Sequence, residues 1–351
     1  MALHKLRLSA QIFSFLVPYA FTFLGQRISA FIHKFQYRSL PASQTKKVVV
    51  IGGSFAGIQL IKRLSESLPT GYCIVLIEKN SHFNYVFAFP RFNVVKGYEK
   101  LGFIPYIGIT KGAPRGIVEH LRDEAVKLTN RHVVLKSGEK IEFAYLVIAT
   151  GTSSSLASKV ASPNHIEGQA ELRSMQDRIA DAQRIAVIGG GAVGVELASD
   201  IKDVHPGKDV VLIHSRAHLL PGFGKRLHDH VIGVFEEMGI SVLLNERPRL
   251  PIQGRGMLEL LNGKLENFDL VQTLQIADEE HPNVFAIGDV AETGGPKMAR
   301  ASFFQTEVIL HNILSLIAEK RNLKRYKPIL WIEGSIKLTL GTGLPCPKFE
   351  I

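Results

Sequence analysis

An α/β fold with two Rossmann-like dinucleotide-binding units is predicted by three features of the sequence. Two stretches share one grammar of strand, glycine turn, helix and strand, and they start 137 positions apart, at Gly52 and Gly189. A third stretch, NVFAIGDVA, reads as a short buried strand, Val284 to Ile287, ending in Gly288 and Asp289. A glycine there lets a ligand approach the backbone beside a carboxylate. With 351 residues, 46% of them hydrophobic, the chain can bury two sizeable cores.

The first unit is KKVVVIGGSFAGIQLIKRLSESLPTGYCIVLIEKN, residues 46 to 80. The run Val48 to Ile51 is continuously apolar, as in a parallel strand buried on both faces. Gly52, Gly53, Ser54 and Gly57 then open a helical pattern with Ile58, Ile61 and Leu64 on one face. A second apolar run, Ile74 to Ile77, stops at Glu78. Together these parts provide a tight first turn, a close backbone at a pyrophosphate, a small residue for helix packing, and an acid for ribose hydroxyls. Ser54 replaces the second glycine but is small enough to keep that approach open.

The second unit, RIAVIGGGAVGVELASDIKDVHPGKDVVLIHSRAHLL, spans residues 184 to 220 and carries Gly189, Gly191 and Gly194 in full. At the end of its second strand the expected acid is His214, followed by Ser215 and Arg216. An acid would favour a free 2′-hydroxyl, whereas Arg216 suits a 2′-phosphate, so NADH and NADPH both remain open. Glu196 sits in the first helical turn, either as a favourable charge at a helix start or within reach of a nicotinamide ribose.

Between the units, EFAYLVIATGTSSS (142 to 155) is a buried strand ending in Ala149-Thr150-Gly151. The order of first fingerprint, ATG, second fingerprint and GD resembles two-dinucleotide-domain flavoproteins. IEKNSHFNYVFAFPR (77 to 91), FIPY (103 to 106), IHSRAHLLP (213 to 221) and PKMARA (296 to 301) narrow the resemblance to the apoptosis-inducing-factor-2-like, ferroptosis-suppressor-related branch. It covers roughly residues 46 to 342.

The resemblance implies FAD in the first unit and NADH or NADPH in the second, with the second domain inserted in the first. It implies Gly52, Gly53, Ser54 and Gly57 at the FAD pyrophosphate, Glu78 at the adenosine ribose with Lys79 beside it, and Pro90 and Arg91 near the flavin ring. Thr150 and Gly151 would pass close to the cofactor, Asp289 would hold its ribityl or pyrophosphate region, and Lys297 and Met298 would lie near the pyrimidine end. Lys297 is the one side chain with an expected catalytic influence, as a cation that tunes the flavin; a solvated loop lysine is the competing reading. Gly189, Gly191, Gly194, Glu196, His214 and Arg216 would serve the nicotinamide nucleotide.

Against the family pattern, NGKLENFDLV (262 to 271) runs directly into QTLQIADEEHPNVF; a crossover turn and a few dozen residues expected after Val271 are absent. The end of the chain, 326 to 351, stops before the helix the pattern leads one to expect. The implied domains are 1–45, a membrane-seeking or targeting segment and linker; 46–155 and 272–315, the two parts of the FAD domain; 156–271, the NAD(P) domain; and 316–351, a shortened C-terminal region.

The net charge of +10 resembles a nucleic-acid signal until it is mapped. Residues 1–47 carry +7 with no acid, and KRNLKRYK (320–327) carries +5, leaving −2 for the rest. The basic charge is therefore peripheral, and no basic, aromatic-studded motif indicates specific nucleic-acid binding. Cys73 and Cys346 are the only cysteines and form no close pair, which argues against a disulfide relay or a cysteine metal site. The 13 histidines show no metal-ligand spacing; His228 and His230 are expected to be solvated on a helix. Nothing specifies an oligomeric state.

Residues 8–25 are uncharged and apolar with Pro18 in the middle, at the short edge of a spanning helix. Their acid-free, basic surroundings also fit a mitochondrial targeting segment. The expectation is a mitochondrial membrane surface, with the cytosolic face of another membrane as the alternative. A membrane-surface enzyme is well placed to use a lipid-soluble acceptor. The expected activity is hydride transfer from NAD(P)H to flavin and onward electron transfer to a quinone or similar acceptor. The competing readings are a flavin-binding remnant with a signalling or regulatory role and a flavoenzyme acting on an organic metabolite.

Overall fold

The structure, a computed structural model, describes residues 2–152, 157–247, 268–269 and 271–342. The serines ending the ATG segment, most of the stretch before Val271 and the terminal GLPCPKFEI lie outside the described residues.

A long helix, α1 (Ala2–Gln36), precedes β1 (Lys46–Ile51), α2 (Phe55–Ser65) and β2 (Tyr72–Ile77). An antiparallel pair, β3 (His82–Asn84) and β4 (Phe103–Pro105), flanks the short α3 (Phe89–Phe92), and β5 (Val118–Leu121) follows. The antiparallel strands β6 (Ala125–Leu128), β7 (His132–Leu135) and β8 (Lys140–Glu142) lead back to β9 (Tyr145–Ile148). The second unit comprises α4 (His165–Asp181), β10 (Arg184–Ile188), α5 (Ala192–Val204), β11 (Asp209–His214), α6 (Lys225–Met238) and β12 (Ser241–Leu244). The chain then returns through β13 (Phe268–Asp269), β14 (Val284–Ala286), β15 (Ala291–Glu292), α7 (Ala299–Ile317) and α8 (Leu330–Glu333).

The main sheet has the order β14-β9-β1-β2-β5, with every pair parallel. The second sheet, β10-β11-β12, is also parallel. Since β14 pairs with β9 across the whole second unit, that unit is an insertion in the first fold, as the α/β fold class anticipates. Alternation along β1 explains its continuous apolar run. Val48 and Val50 face Leu60, Ile61 and Leu64 of α2 and Ile309 and Ile313 of α7. Val49 faces the opposite side, with Val133, Leu135 and Ile141 of the antiparallel sheet. Both faces are covered from Val48 onward, so polar residues have no place in that run, and the two lysines stand at the strand's more exposed start.

The second core gathers Val187, Val195, Ile201, Leu212, Val231 and Phe235, and it also takes in Val94 and the segment Ile336, Leu338 and Leu340. Residues from both ends of the first fold thus complete the inserted one. His228, expected to be solvated, is buried: its Nδ1 accepts from the Leu219 N–H at 3.0 Å. The turn before α6 needed an internal acceptor, and the imidazole supplies it.

In the segment that follows Val271, Leu274 is buried with φ of +65°, a left-handed conformation costly for a bulky side chain. Neighbouring backbone is clasped by Asn312 of α7, which is fully buried. Its Nδ2 donates to the Thr273 and Lys324 carbonyls at 3.0 and 2.9 Å, and its Oδ1 accepts from the Lys324 N–H at 2.7 Å. Asn312→Ala removes all three partners from buried backbone groups, so it should cost about 2–4 kcal/mol. Urea unfolding would show a lower midpoint at unchanged slope; a loss below about 1 kcal/mol would mean that the clasp does not hold the join.

Candidate functional site

Both glycine turns are sterically closed in the same way. A Cβ on Gly57 would stand 1.9 Å from the Gly52 carbonyl oxygen, and one on Gly194 would stand 1.9 Å from that of Gly189. Gly52 and Gly189 have φ of +104° and +114°. No side chain fits at Gly57 or Gly194, so each helix start presses onto its strand end. The free N–H groups of the first helical turn are thereby aimed over the strand tips, where an anion is favoured.

The partner of the turn differs between the units. The Gly53 N–H donates to Glu78 Oε2, and Glu78 Oε1 accepts from the Asn80 N–H at 2.8 Å. In the second unit the Gly190 N–H donates to His214 Nδ1 at 3.0 Å. His214 thus occupies the place of Glu78, with a neutral acceptor in place of a charged one. Accepting at Nδ1 puts its proton on Nε2, which is buried and makes no hydrogen bond. Burial lowers the pKa of this imidazole and nearby Arg216 adds to the effect, against a backbone contact with His218.

Gly52, Ser54, Glu78, Lys79, Thr150 and Gly151 line one cavity of about 470 Å³. Gly53 and Gly57 are buried and do not line it; Gly53 packs on Tyr106, a lining residue whose hydroxyl donates to the Gly53 carbonyl at 2.9 Å. Ser54 precedes α2 with an exposed side chain that makes no capping bond. Its hydroxyl and the helix N–H groups therefore face the cavity together. Tyr106 is held protonated by burial and by Glu78.

Lys159, which sequence reasoning missed, also lines this cavity and donates to the Thr152 carbonyl. Burial lowers its pKa; Asp289 opposes that and Lys79 reinforces it. A cation that loses water in a cavity walled by a helix N-terminus suits a diphosphate. No pattern around an isolated lysine marked it in the sequence, because its place depends on the return of the chain past β9.

Asp289 is brought to α2 by Gly288, where a Cβ would lie 3.1 Å from the Ala56 Cβ and whose N–H donates to Gln305 Oε1 at 2.9 Å. Lys297 donates to the Asp289 carbonyl at 3.1 Å and pairs with Glu292 at 3.2 Å, on an exposed edge. Met298 packs against the second core.

Pro90 is buried in α3, and Arg91 beside it does not line the cavity. Its guanidinium pairs with Asp200 at 3.2 Å and donates to Thr339 Oγ1 and the Gly341 carbonyl. Glu196 Oε1 accepts from the N–H and hydroxyl of Thr339, both at 3.1 Å, while burial raises its carboxyl pKa. Arg91 and Glu196 are thus engaged in fastening the segment 338–342 to α5. Arg216 is exposed at the rim of the second cradle. Burial raises the Cys73 thiol pKa, with Glu119 adding to this against Lys47.

The model of the family described as pyridine nucleotide-disulphide oxidoreductase matches residues 46–274. The chain belongs to that family. Among its relatives, Fe-regulated protein 8 of Mycosarcoma maydis is 31% identical, over 86% of this chain and 88% of that protein. Ferroptosis suppressor protein 1 of Mus musculus is 30% identical, over 84% and 86%. The branch expected from the sequence motifs is therefore borne out. The alignment with the first relative spans 357 positions but only 86% of these 351 residues, about 302, so several dozen positions have no residue here. The sulfide:quinone oxidoreductase of Aquifex aeolicus shares the fold, with a TM-score of 0.65 at 21% identity over 85% of this chain and 82% of that one.

The two cradles have the geometry that dinucleotides need: each excludes a Cβ where the helix start packs on the strand end, and the space before Gly191 is open. His214 gives a pH test. With its folded pKa below the ordinary 6.5, the unfolded chain takes up the proton first as pH falls. The contact's stabilisation is full above about 6.5 and is lost as pH drops through that value toward the folded pKa. His214→Gln keeps an acceptor for Gly190 without titrating. Relative to this variant, the wild type should lose melting temperature, by a few degrees, between about pH 7.5 and 5.5; a difference independent of pH would remove the neutral-imidazole reading.

Proposed function

We propose that the protein is a membrane-associated FAD-dependent NAD(P)H oxidoreductase that passes electrons to a quinone. The observation that carries this reading is the pair of closed glycine cradles in one chain, one partnered by a carboxylate and one by a neutral imidazole. FAD held in the first would supply the two-electron chemistry. The protein's own labour is positional. The α2 N–H groups, Ser54 and Lys159 hold the diphosphate; Glu78, oriented by Gly53 and Asn80, accepts from ribose hydroxyls; Asp289 is fixed against α2 for the remainder of the cofactor. Lys297, tethered by the Asp289 carbonyl, supplies positive charge at the mouth.

In the second cradle, His214 fixes the Gly190 N–H and with it the turn that would meet the adenosine end of the nicotinamide nucleotide. The absence of a carboxylate there removes the repulsion a 2′-phosphate would meet, and Arg216 adds attraction, so both coenzymes serve. A quinone acceptor is supported by the sulfide:quinone oxidoreductase that shares the fold and by the apolar N-terminal helix, which suits a lipid-soluble substrate. The competing reading, a nucleotide-binding remnant with a signalling role, is favoured by the alignment positions that have no residue here and by the strained Leu274 at the join.

Oxidation of NADH and NADPH by the full-length protein, with a soluble benzoquinone as acceptor, tests the proposal. A quinone-dependent rate with both coenzymes is expected. Arg216→Ala should raise the KM for NADPH about tenfold more than that for NADH, equivalent to about 1.4 kcal/mol. No quinone-dependent rate would support the remnant instead, and an equal change in both KM values would remove Arg216 from coenzyme choice.

A further inference from the structure

Helix α1 touches the body along one line and turns its apolar stripe the other way. On the inner line, the Phe15 ring meets Trp331 edge-on at 5.6 Å and Phe304 at 6.3 Å. Gln26 donates to Glu307 at 3.2 Å, and His33 Nε2 lies 2.7 Å from the Leu68 carbonyl. Just past the helix, the Tyr37 hydroxyl donates to the Tyr72 carbonyl at 2.9 Å. Positions 15, 26 and 33 are separated by whole numbers of helical turns to within a fraction of a residue, so this is a single face.

The opposite face carries Phe13, Val17, Phe21, Leu24, Ile28, Phe31 and Phe35, at steps of three and four, and every one is exposed. Phe21 is 72% exposed and Phe13 69%. An unbroken stripe of this kind on a water-facing helix needs a covering. To one side of it the N-terminal half adds exposed Leu16 and Phe23, and the C-terminal half carries the basic Arg27 and Lys34. At its C-terminal end, Lys34, Arg38 and Arg115 line an open groove, and none of the three has a carboxylate partner there among the described residues. A second copy of the chain would set one acid-free +7 segment against another. A surface of anionic lipid matches both the stripe and its basic flank.

The inner contacts decide how the helix meets that surface. They run from Phe15 to His33, about 27 Å of helix, comparable with the hydrocarbon thickness of about 30 Å. A helix crossing the bilayer while keeping them would draw the Arg63, Glu66 and Glu307 network into hydrocarbon; Arg63 Nε and Glu307 are 2.6 Å apart and Arg27 reaches Glu66 at 4.0 Å. Charges in hydrocarbon are costly, and a helix lying in the plane buries the stripe without that cost. We infer that α1 lies in the plane of an anionic bilayer surface, its stripe from Phe13 to Phe35 in the acyl boundary and its inner face clamped to the oxidoreductase body, and does not span the membrane. This rests on the membrane reading above and deepens it.

The test uses full-length protein with both native cysteines replaced by serine and one cysteine introduced, Ala2→Cys or Gln36→Cys. Each is bound to vesicles of phosphatidylcholine and phosphatidylglycerol, floated, and treated with an impermeant maleimide before and after detergent. An in-plane helix predicts flotation and equal labelling of both variants before detergent. Protection of Ala2→Cys until detergent is added would overturn the in-plane orientation while leaving membrane binding intact. Absence of flotation would overturn both readings. The double variant Phe21→Ser, Phe31→Ser should lower vesicle binding at least tenfold with the melting temperature of the body retained. If it instead converts a dimer to a monomer, with vesicle binding unchanged, the stripe is a contact between copies and the inference fails.

Discussion

The close approach of a helix start to a strand end, enforced where Gly57 meets Gly52 and again where Gly194 meets Gly189, governs everything built around it. With 1.9 Å between a notional Cβ and the carbonyl oxygen, only glycine permits the contact. Once it is made, the helix N–H groups point over the strand tips and the next backbone N–H is delivered to the residue that ends the following strand. A Cβ on Gly52 would also stand 2.4 Å from the Ala149 carbonyl. The same tight turn therefore admits the ATG segment, and Thr150 and Gly151 arrive at the cavity because of it.

From this shared frame the units diverge in charge. A carboxylate completes the first turn and a neutral, buried imidazole the second. One chain thereby holds two cradles of the same backbone geometry whose completing acceptors differ in charge. The body around them is assembled from distant parts of the sequence. Arg91, Glu196 and Asp203 tie α3, α5 and the segment 338–342 together, and Asn312 ties α7 to the join. The chain after Val271 is held by the Asn312 clasp, against the cost of the left-handed Leu274.

Local patterns carried the fold. The runs at β1, β2, β10 and β11 and the glycine spacings each depend on contacts within some 30 residues, so periodicity and turn chemistry expose them directly. The insertion of the second unit was legible only through the family resemblance, since the pairing of β14 with β9 spans well over a hundred residues. What stayed hidden depends on long-range folding. Lys159 enters the cavity from a stretch without a motif, and Tyr106, though part of the FIPY motif, had no role legible from it. His228 reads as a surface histidine until the turn before α6 claims its nitrogen. For Arg91 the family resemblance, and for Glu196 its place in the first helical turn, suggested ligand contact, whereas tertiary context supplied protein partners. The apolar N-terminal run was visible, but its division into a body-facing line and an outward stripe needed the inner contacts to be seen.

Electron transfer between the two cradles is read most simply from the visible spectrum of the purified full-length protein under anaerobic conditions, before and after stoichiometric NADH and then NADPH. Two intact cradles predict a flavin band that bleaches on addition of a nicotinamide coenzyme without any acceptor present. A flavin that stays bound and oxidised through both additions would contradict transfer between the two sites and leave the chain as a nucleotide-binding protein alone.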